Sequence, residues 1–354
     1  MTTIPVPDPV AEAARYWEPP AGPYLNTATF GLPPRATLDA VGAALEAWRR
    51  GDDAARAWTD VPTERARAAF ARLVGVAPEL VAAGASVSEF VGLVAAGLPD
   101  GARVLAPEMD FTSLLFPFLA QADRGVELRC VPADRLAEAV DAGTDLVAFS
   151  AVQSATGEVA DLAAVAAAAR HHGARTLVDA TQACGWLPLS AADWDYLVCA
   201  TYKWLCTPRG CALLAMRPEH LERLRPQGPG WFAGEAPWES LYGPPLRLAG
   251  SARRFDLSPA WFSWVGAAPS LELLERAGVA AVGDHDVALA NRLRAGLGLA
   301  PSNSAIVAFR RPGAAERLAR AGIRAAVRDG GVRISCHLYN TPADVDAALD
   351  ALDC

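Results

Sequence analysis

The sequence predicts an α/β protein: a large domain built on a mostly parallel sheet flanked by helices, and a smaller α+β domain at the C-terminal end. Three observations predict it. Short buried apolar runs alternate with helical stretches between residues 35 and 215, the pattern of a parallel sheet covered on both faces. Residues 226–260 are rich in Pro, Gly and Trp and lose all periodicity, so they read as a long loop between domains. Beyond them helix and strand signals return in a different order. At 354 residues the chain is long for one domain and suits two. The expected division is 20–250 for the large domain, with 1–19 and 251–354 forming the small one.

In chain order, amphipathic helices are expected at 36–50 and 62–74. The segment Gly84-Ala85-Ser86-Val87-Ser88-Glu89 precedes an apolar helical stretch and matches a capping box, Ser86 with Glu89. Buried strands are expected at 102–106, 127–131, 145–150, 175–179, 195–200 and 211–215, with a helix at 160–171. After the loop come helices at 261–277 and 284–296. Then follow a strand (304–310), a helix (314–321), strands at 324–328 and 331–336, and a helix at 342–352. Thr341-Pro342 opens that last helix, with threonine as N-cap and proline at the first position.

Composition narrows the function classes. With 52% apolar and 20% charged residues this is a soluble globular composition. The net charge of −8, with no basic run, argues against nucleic acid or an anionic membrane as partner. No apolar stretch is long enough to span a bilayer. The N-terminus has neither a basic start nor an apolar core, so no signal peptide is expected. Seven cysteines without a CxxC spacing read as buried thiols of a reducing cytoplasm.

Lysine occurs once, at position 203, among 32 cationic residues, so 32 − 1 = 31 are arginines. Arginine replaces lysine as a solvated cation but cannot condense with an aldehyde, because its guanidinium stays protonated. The retained lysine therefore points to amine chemistry. Asp179 and Lys203, 24 positions apart, each follow a buried strand of one sheet, which brings both to one edge and one cleft. A buried carboxylate at a strand end needs a cation or hydrogen bonds, and a pyridinium nitrogen is one such cation; alone, Asp179 reads more readily as a helix N-cap. Gln182 can reach a second polar group. The helix start at Ser86 offers free N–H groups and a positive dipole end to a phosphate. Phe111 can stack on a flat ring, or pack in the core.

The run VDATQACGWLPL…DYLVCATYKWLCTPRGCALL resembles the lysine-bearing segment of class V aminotransferase-like enzymes of fold type I, which use pyridoxal 5′-phosphate (PLP). That group includes cysteine desulfurases, kynureninase, isopenicillin-N epimerase-like proteins and an ergothioneine C–S lyase. The resemblance extends from YLNTATFG (24–31) through RRFDLSPAW (253–261) to VRISCHLYNT (332–341). It implies a seven-stranded sheet, PLP as cofactor, an amino-acid-like substrate and a cytoplasmic homodimer with sites at the subunit interface. It makes Lys203 the Schiff-base lysine and Asp179 the partner of the pyridine nitrogen. Gln182 lies near the phenolic oxygen, Phe111 takes the ring-stacking position, and Ser154 lies near the ring. Ser86, the Val87 backbone and Tyr202 receive the phosphate, and Ser258 reaches the phosphate of the partner subunit. For the substrate carboxylate it offers two arginines, Arg333 and Arg328, of which Arg333 is preferred.

Two departures shape the expected reaction. Only Asp329, Gly330, Gly331 and Val332 separate Arg328 from Arg333, so the mobile cysteine loop of desulfurases is absent. Leu114 stands where kynureninase has an aspartate. The expected activity is transamination or β-elimination of the C–S lyase type on an α-amino acid, with epimerisation or kynureninase-like hydrolysis as alternatives and persulfide formation excluded. Trp231, Trp238, Trp261 and Trp264 read either as an apolar substrate wall or as a dimer contact.

Overall fold

The computed structural model describes residues 8–18, 20–52 and 54–353. Its elements in chain order begin with α1 (Pro9–Ala14), α2 (Arg35–Arg50), α3 (Ala55–Leu73), β1 (Val81–Gly84) and α4 (Val87–Ala96). There follow β2 (Arg103–Pro107), α5 (Thr112–Leu119), β3 (Glu127–Val131), α6 (Leu136–Ala139), β4 (Leu146–Ser150) and α7 (Leu162–His172). The sheet is completed by β5 (Arg175–Asp179), β6 (Tyr196–Ala200) and β7 (Ala212–Met216). The remainder holds α8 (Trp261–Ala277), α9 (Val279–Gly296), β8 (Ile306–Phe309), α10 (Ala314–Arg320), β9 (Ala326–Arg328), β10 (Gly331–Ser335) and α11 (Pro342–Asp353).

The large sheet has seven strands in the order β1-β7-β6-β5-β4-β2-β3. Only β7 runs against the rest, pairing antiparallel with β1 and β6, so the sheet is mostly parallel, as expected. Its central strands are buried on both faces, and each face meets its own apolar layer. One layer includes Phe70, Phe149, Trp186 and Trp194; the other includes Phe90, Val94, Phe118 and Tyr196. A three-stranded antiparallel sheet, β8-β10-β9, packs with α9, α10 and α11 around a separate core. Residues 24–26 bridge to this smaller sheet at Arg324 and Ser335. The same segment then runs to the large sheet, where the Gly31 amide donates to the Tyr202 carbonyl at 2.9 Å.

The sequence expectations depart from the structure at identifiable places. β1 escapes apolar-run counting because it is four residues long and half alanine. α3 starts at Ala55, seven residues before the expected start, and carries Pro62 in its interior. α9 likewise starts earlier, at Val279 directly after Gly278. Cys130 is exposed, against the expectation of buried thiols, because it lies on the edge strand β3; the other five cysteines described are buried. Cys354 and residues 1–7 and 19 of the expected small domain lie outside the described residues.

Candidate active site

The turn after β6 carries Lys203. Thr201 Oγ1 meets Thr207 Oγ1 at 2.6 Å, and the Cys206 amide donates to the Lys203 carbonyl at 3.1 Å, with Cys206 in the left-handed region at φ 53°. Gly31 packs so close that a β-carbon there would sit 2.1 Å from the Lys203 carbonyl oxygen. Only glycine admits this approach.

Behind the turn the side chains are held in a buried hydrogen-bonded network, in which Asp286 Oδ1 alone lacks a partner. Trp204 Nε1 donates to Gln182 Oε1 at 2.8 Å, and Trp204 packs on Trp186. The Trp204 carbonyl faces His337 Nε2 at 2.9 Å, while His337 Nδ1 faces Asp286 Oδ2 at 2.9 Å. A carbonyl accepts only, so Nε2 carries a proton. The carboxylate on the other side makes the ring an imidazolium: burial opposes the charge, but Asp286 outweighs it, with help from Cys206, and pushes the pKa up to about 10. Burial in turn pushes Asp286 up, although His337 opposes it; imidazole is the more basic partner, so the pair is ionic.

In front of the turn the groups are less satisfied. Asp179 ends β5, is buried, and accepts from the Thr181 amide at 2.8 Å. No cation lies within ion-pair distance of it among the described residues. Burial raises its pKa, hydrogen bonds to Thr181 oppose this, Asp110 adds to the rise and Lys203 opposes it. Burial pushes Lys203 down to about 8, against the attraction of Asp179 and with the repulsion of Arg333. Its Nζ lies 5.5 Å from the centre of the half-exposed Phe111 ring.

Asp110 was not singled out by the sequence. It is buried and accepts from the Ser150 amide at 2.7 Å, the Ser150 hydroxyl at 2.5 Å and the Phe111 amide at 2.6 Å. It ties the start of α5 to β4 and so fixes where Phe111 stands. Its only sequence signal was adjacency to that phenylalanine.

Asp179, Lys203, Phe111 and Ser150 line a cavity of 190 Å³ together with Ser86, Val87, Ser88, Ser154, Gln182, Tyr202 and Arg209. One end is the start of α4. Ser86 Oγ accepts from the Glu89 amide at 3.3 Å and Glu89 accepts from the Ala85 amide at 2.8 Å, the expected capping box. The donor set fits PLP. A phosphate has the α4 start with the Ser86, Ser88 and Tyr202 hydroxyls, a ring nitrogen has the buried, cation-free Asp179, and an aldehyde has Lys203. Gln182 differs in detail from the expectation. Trp204 Nε1 is a donor, so the Gln182 oxygen must face it, and Nε2 donates to the Ala28 carbonyl at 3.0 Å and Ser154 Oγ at 3.1 Å. No amide proton is left for a phenolic oxygen unless Ser154 gives one up.

A second cavity of 580 Å³ shares Phe111, Ser154, Tyr202, Lys203 and Arg209 with the first. Both expected arginines line it. Arg333 is buried; it donates to the Ser154 carbonyl and, at 2.8 Å, to Thr29 Oγ1, while its Nε has no partner. Burial, reinforced by Arg328, pushes its pKa down to about 10. Arg328 is exposed and reaches the same Thr29 hydroxyl at 3.2 Å. The tryptophans of the loop do not line this cavity. Trp231 packs on Trp238, Trp261 on Trp58, and Trp264 is core, so the substrate-wall reading of that loop is not met. Ser258 is exposed and lines neither cavity of its own chain.

Residues 34–318 match the sequence model of the family described as Aminotransferase class-V. The chain belongs to that family. It is therefore a PLP-dependent enzyme. An uncharacterized aminotransferase of Bacillus subtilis, YcbU, is 30% identical, covering 82% of this chain and 83% of its own. The isopenicillin N epimerase of Streptomyces clavuligerus is also 30% identical, covering 93% and 94%. Among solved structures, the cystine C–S lyase C-DES superposes with a TM-score of 0.83 at 24% identity, covering 93% and 96%, which shows the shared fold. Kynureninases and cysteine desulfurases are also among the proteins this class V chain is similar to.

Proposed function

We propose that this class V enzyme acts at Cα and Cβ of an α-amino acid, as an aminotransferase or a β-eliminating C–S lyase. One observation carries the reading: Lys203, with its lowered amine pKa, stands in one cavity with the cation-free Asp179 and the start of α4. Bound PLP supplies the electron sink that makes a Cα proton acidic. In this reading Asp179 holds the ring nitrogen protonated, and Phe111 covers one face of the ring and excludes water. The α-carboxylate docks on Arg333, with Arg328 beside it. With PLP bound, the Lys203 amine would be the group placed to take the Cα proton, and a pKa lowered to about 8 suits a general base.

Persulfide chemistry is set aside although desulfurases share the fold. β9 and β10 are joined by Asp329 and Gly330, leaving no loop to carry a cysteine. Cys336 is buried in the small core and its thiol is pushed up by burial. The alternative reaction is epimerisation, supported by the likeness to isopenicillin N epimerase over nearly the whole of both chains. We place the enzyme in the cytoplasm as a homodimer, with residues 20–250 as the PLP-binding domain. The exposed apolar side chains of Leu45, Trp48 and Val61 favour a subunit contact. No described helix is long and apolar enough to cross a membrane.

The test is spectroscopic. Purified protein with PLP should show the absorption of a lysine-bound cofactor, and Lys203→Ala should lose it while staying folded. A protein that stays colourless with PLP sinks the reading. Pyruvate with ammonia from S-substituted cysteines marks elimination. Accumulated pyridoxamine phosphate marks transamination, and Cα exchange in D₂O without net loss marks epimerisation.

A further inference from the structure

The second cavity bears on which amino acid is used. Much of its lining is apolar: Phe30, Pro33, Leu38, Val41 and Pro208 join Phe111 there. This wall is held in place. Thr37 Oγ1, buried, donates to the Gly266 carbonyl at 2.8 Å and pins α2 to α8. A β-carbon at Gly266 would meet Pro208 at 2.7 Å and Val41 at 2.8 Å, so this glycine lets the two residues close the wall together. Phe30 packs on Tyr24, whose hydroxyl donates to the Phe30 carbonyl at 2.6 Å.

Three substituents of the substrate Cα must be placed. The amine goes to Lys203 and the carboxylate to Arg333, and both residues line this same cavity. The side chain is left with the remaining wall, which is mostly apolar, its threonine hydroxyls at 29, 37 and 207 being already bonded within the protein. Charge points the same way. Across the two cavities there are three guanidiniums, Arg209, Arg328 and Arg333, and one carboxylate, Asp179. Asp179 answers a protonated ring nitrogen. Of the three, only Arg209 lines the cavity with the phosphate end, while Arg328 and Arg333 meet at the Thr29 hydroxyl in the second cavity and are placed to share the α-carboxylate, so the side chain has no cation of its own. No Asp or Glu lines the second cavity to receive a basic one.

Resting on the PLP reading above, we infer that the side-chain subsite takes a bulky, neutral, apolar group, so that the substrate is a branched-chain or aromatic α-amino acid. Alanine or serine would leave most of a 580 Å³ cavity to water. Each methylene buried is worth about a fourfold gain in affinity, so leucine or phenylalanine should exceed alanine by roughly 10- to 100-fold.

The experiment uses the PLP-loaded enzyme. L-alanine, L-serine, L-glutamate, L-leucine and L-phenylalanine are titrated against the spectrum of the bound cofactor to give apparent Kd values. Leucine and phenylalanine should bind best and glutamate worst. Leu38→Asp, at a half-exposed position where folding is little at risk, should cut the leucine-to-alanine preference at least about fivefold. Equal or tighter binding of alanine, serine or glutamate overturns the assignment. So does an unchanged preference in Leu38→Asp, or a coloured enzyme whose spectrum no amino acid moves. Absence of any cofactor band in the loaded protein is a different failure and sinks the PLP reading itself.

Discussion

The two sides of Lys203 are built by opposite rules. Behind it, Trp204, Gln182, His337 and Asp286 form a dry network in which an imidazolium lies between a carboxylate and a carbonyl. In front, a carboxylate and an amine are buried without an ion-pair partner among the described residues, and both are pushed toward their neutral forms. The back is held together by the protein's own hydrogen bonds and ion pair, with only Asp286 Oδ1 left over, whereas the front gains its partners when something enters it. Stability and function should therefore separate cleanly between the two sides.

The largest effects expected are catalytic and come from the front. Asp179→Asn should reduce turnover by about 10² or more, since the ring nitrogen loses its charged partner. The cofactor-free protein should be no less stable, because a poorly compensated buried charge has gone; a loss of stability comparable to the loss of turnover would break the comparison. At the back, His337→Ala removes one member of a buried ion pair and strands the other. The expected cost is about 3–5 kcal/mol, read as a lower denaturation midpoint with an unchanged slope. If His337→Ala kept its midpoint, the back would not be the rigid side.

Linkage sharpens the contrast. Burial lowers the folded-state pKa of Lys203 to about 8 from 10.5, so between those values the unfolded chain binds more protons than the folded one. The contribution of Lys203 to stability therefore rises with pH across that window and is least below it. The difference is on the order of 3 kcal/mol. Cofactor-free protein should gain this stability between about pH 8 and 10.5 relative to Lys203→Met, measured by denaturant titration. Protein whose lysine is already bonded to PLP should not.

Most of the framework was legible in the sequence because it depends on local signals. Runs such as DLVAFS and DYLVCA mark buried parallel strands, and SVSE marks a helix start. Lys203 stood out because arginine cannot do its chemistry. The hidden parts depend on contacts between distant residues. His337 meets the Trp204 carbonyl across 133 positions, and nothing local in SCHLYN tells of it. Asp110 is defined by Ser150, forty positions away. The apolar wall was sought in the tryptophans of the loop, the largest apolar side chains at hand. It is supplied instead by α2 and the turn at Pro208, which α8 holds together through Gly266.

The smallest effect expected lies at the mouth of the front, where Ser86 has two tasks. As N-cap of α4 it accepts from the Glu89 amide, and Ser86→Ala should cost about 1 kcal/mol of stability on that account alone. Its hydroxyl also lines the cavity at the end offered to the phosphate. Ser86→Gly should restore most of the stability, since glycine caps nearly as well through its exposed backbone, but should restore none of the hydroxyl's contact. PLP affinity, measured by spectral titration, should stay several-fold weakened in both variants while the denaturation midpoint recovers only in Ser86→Gly. Recovery of PLP affinity along with the midpoint would mean that the helix start binds the phosphate through its backbone alone, and that Ser86 belongs to the fold rather than to the cofactor.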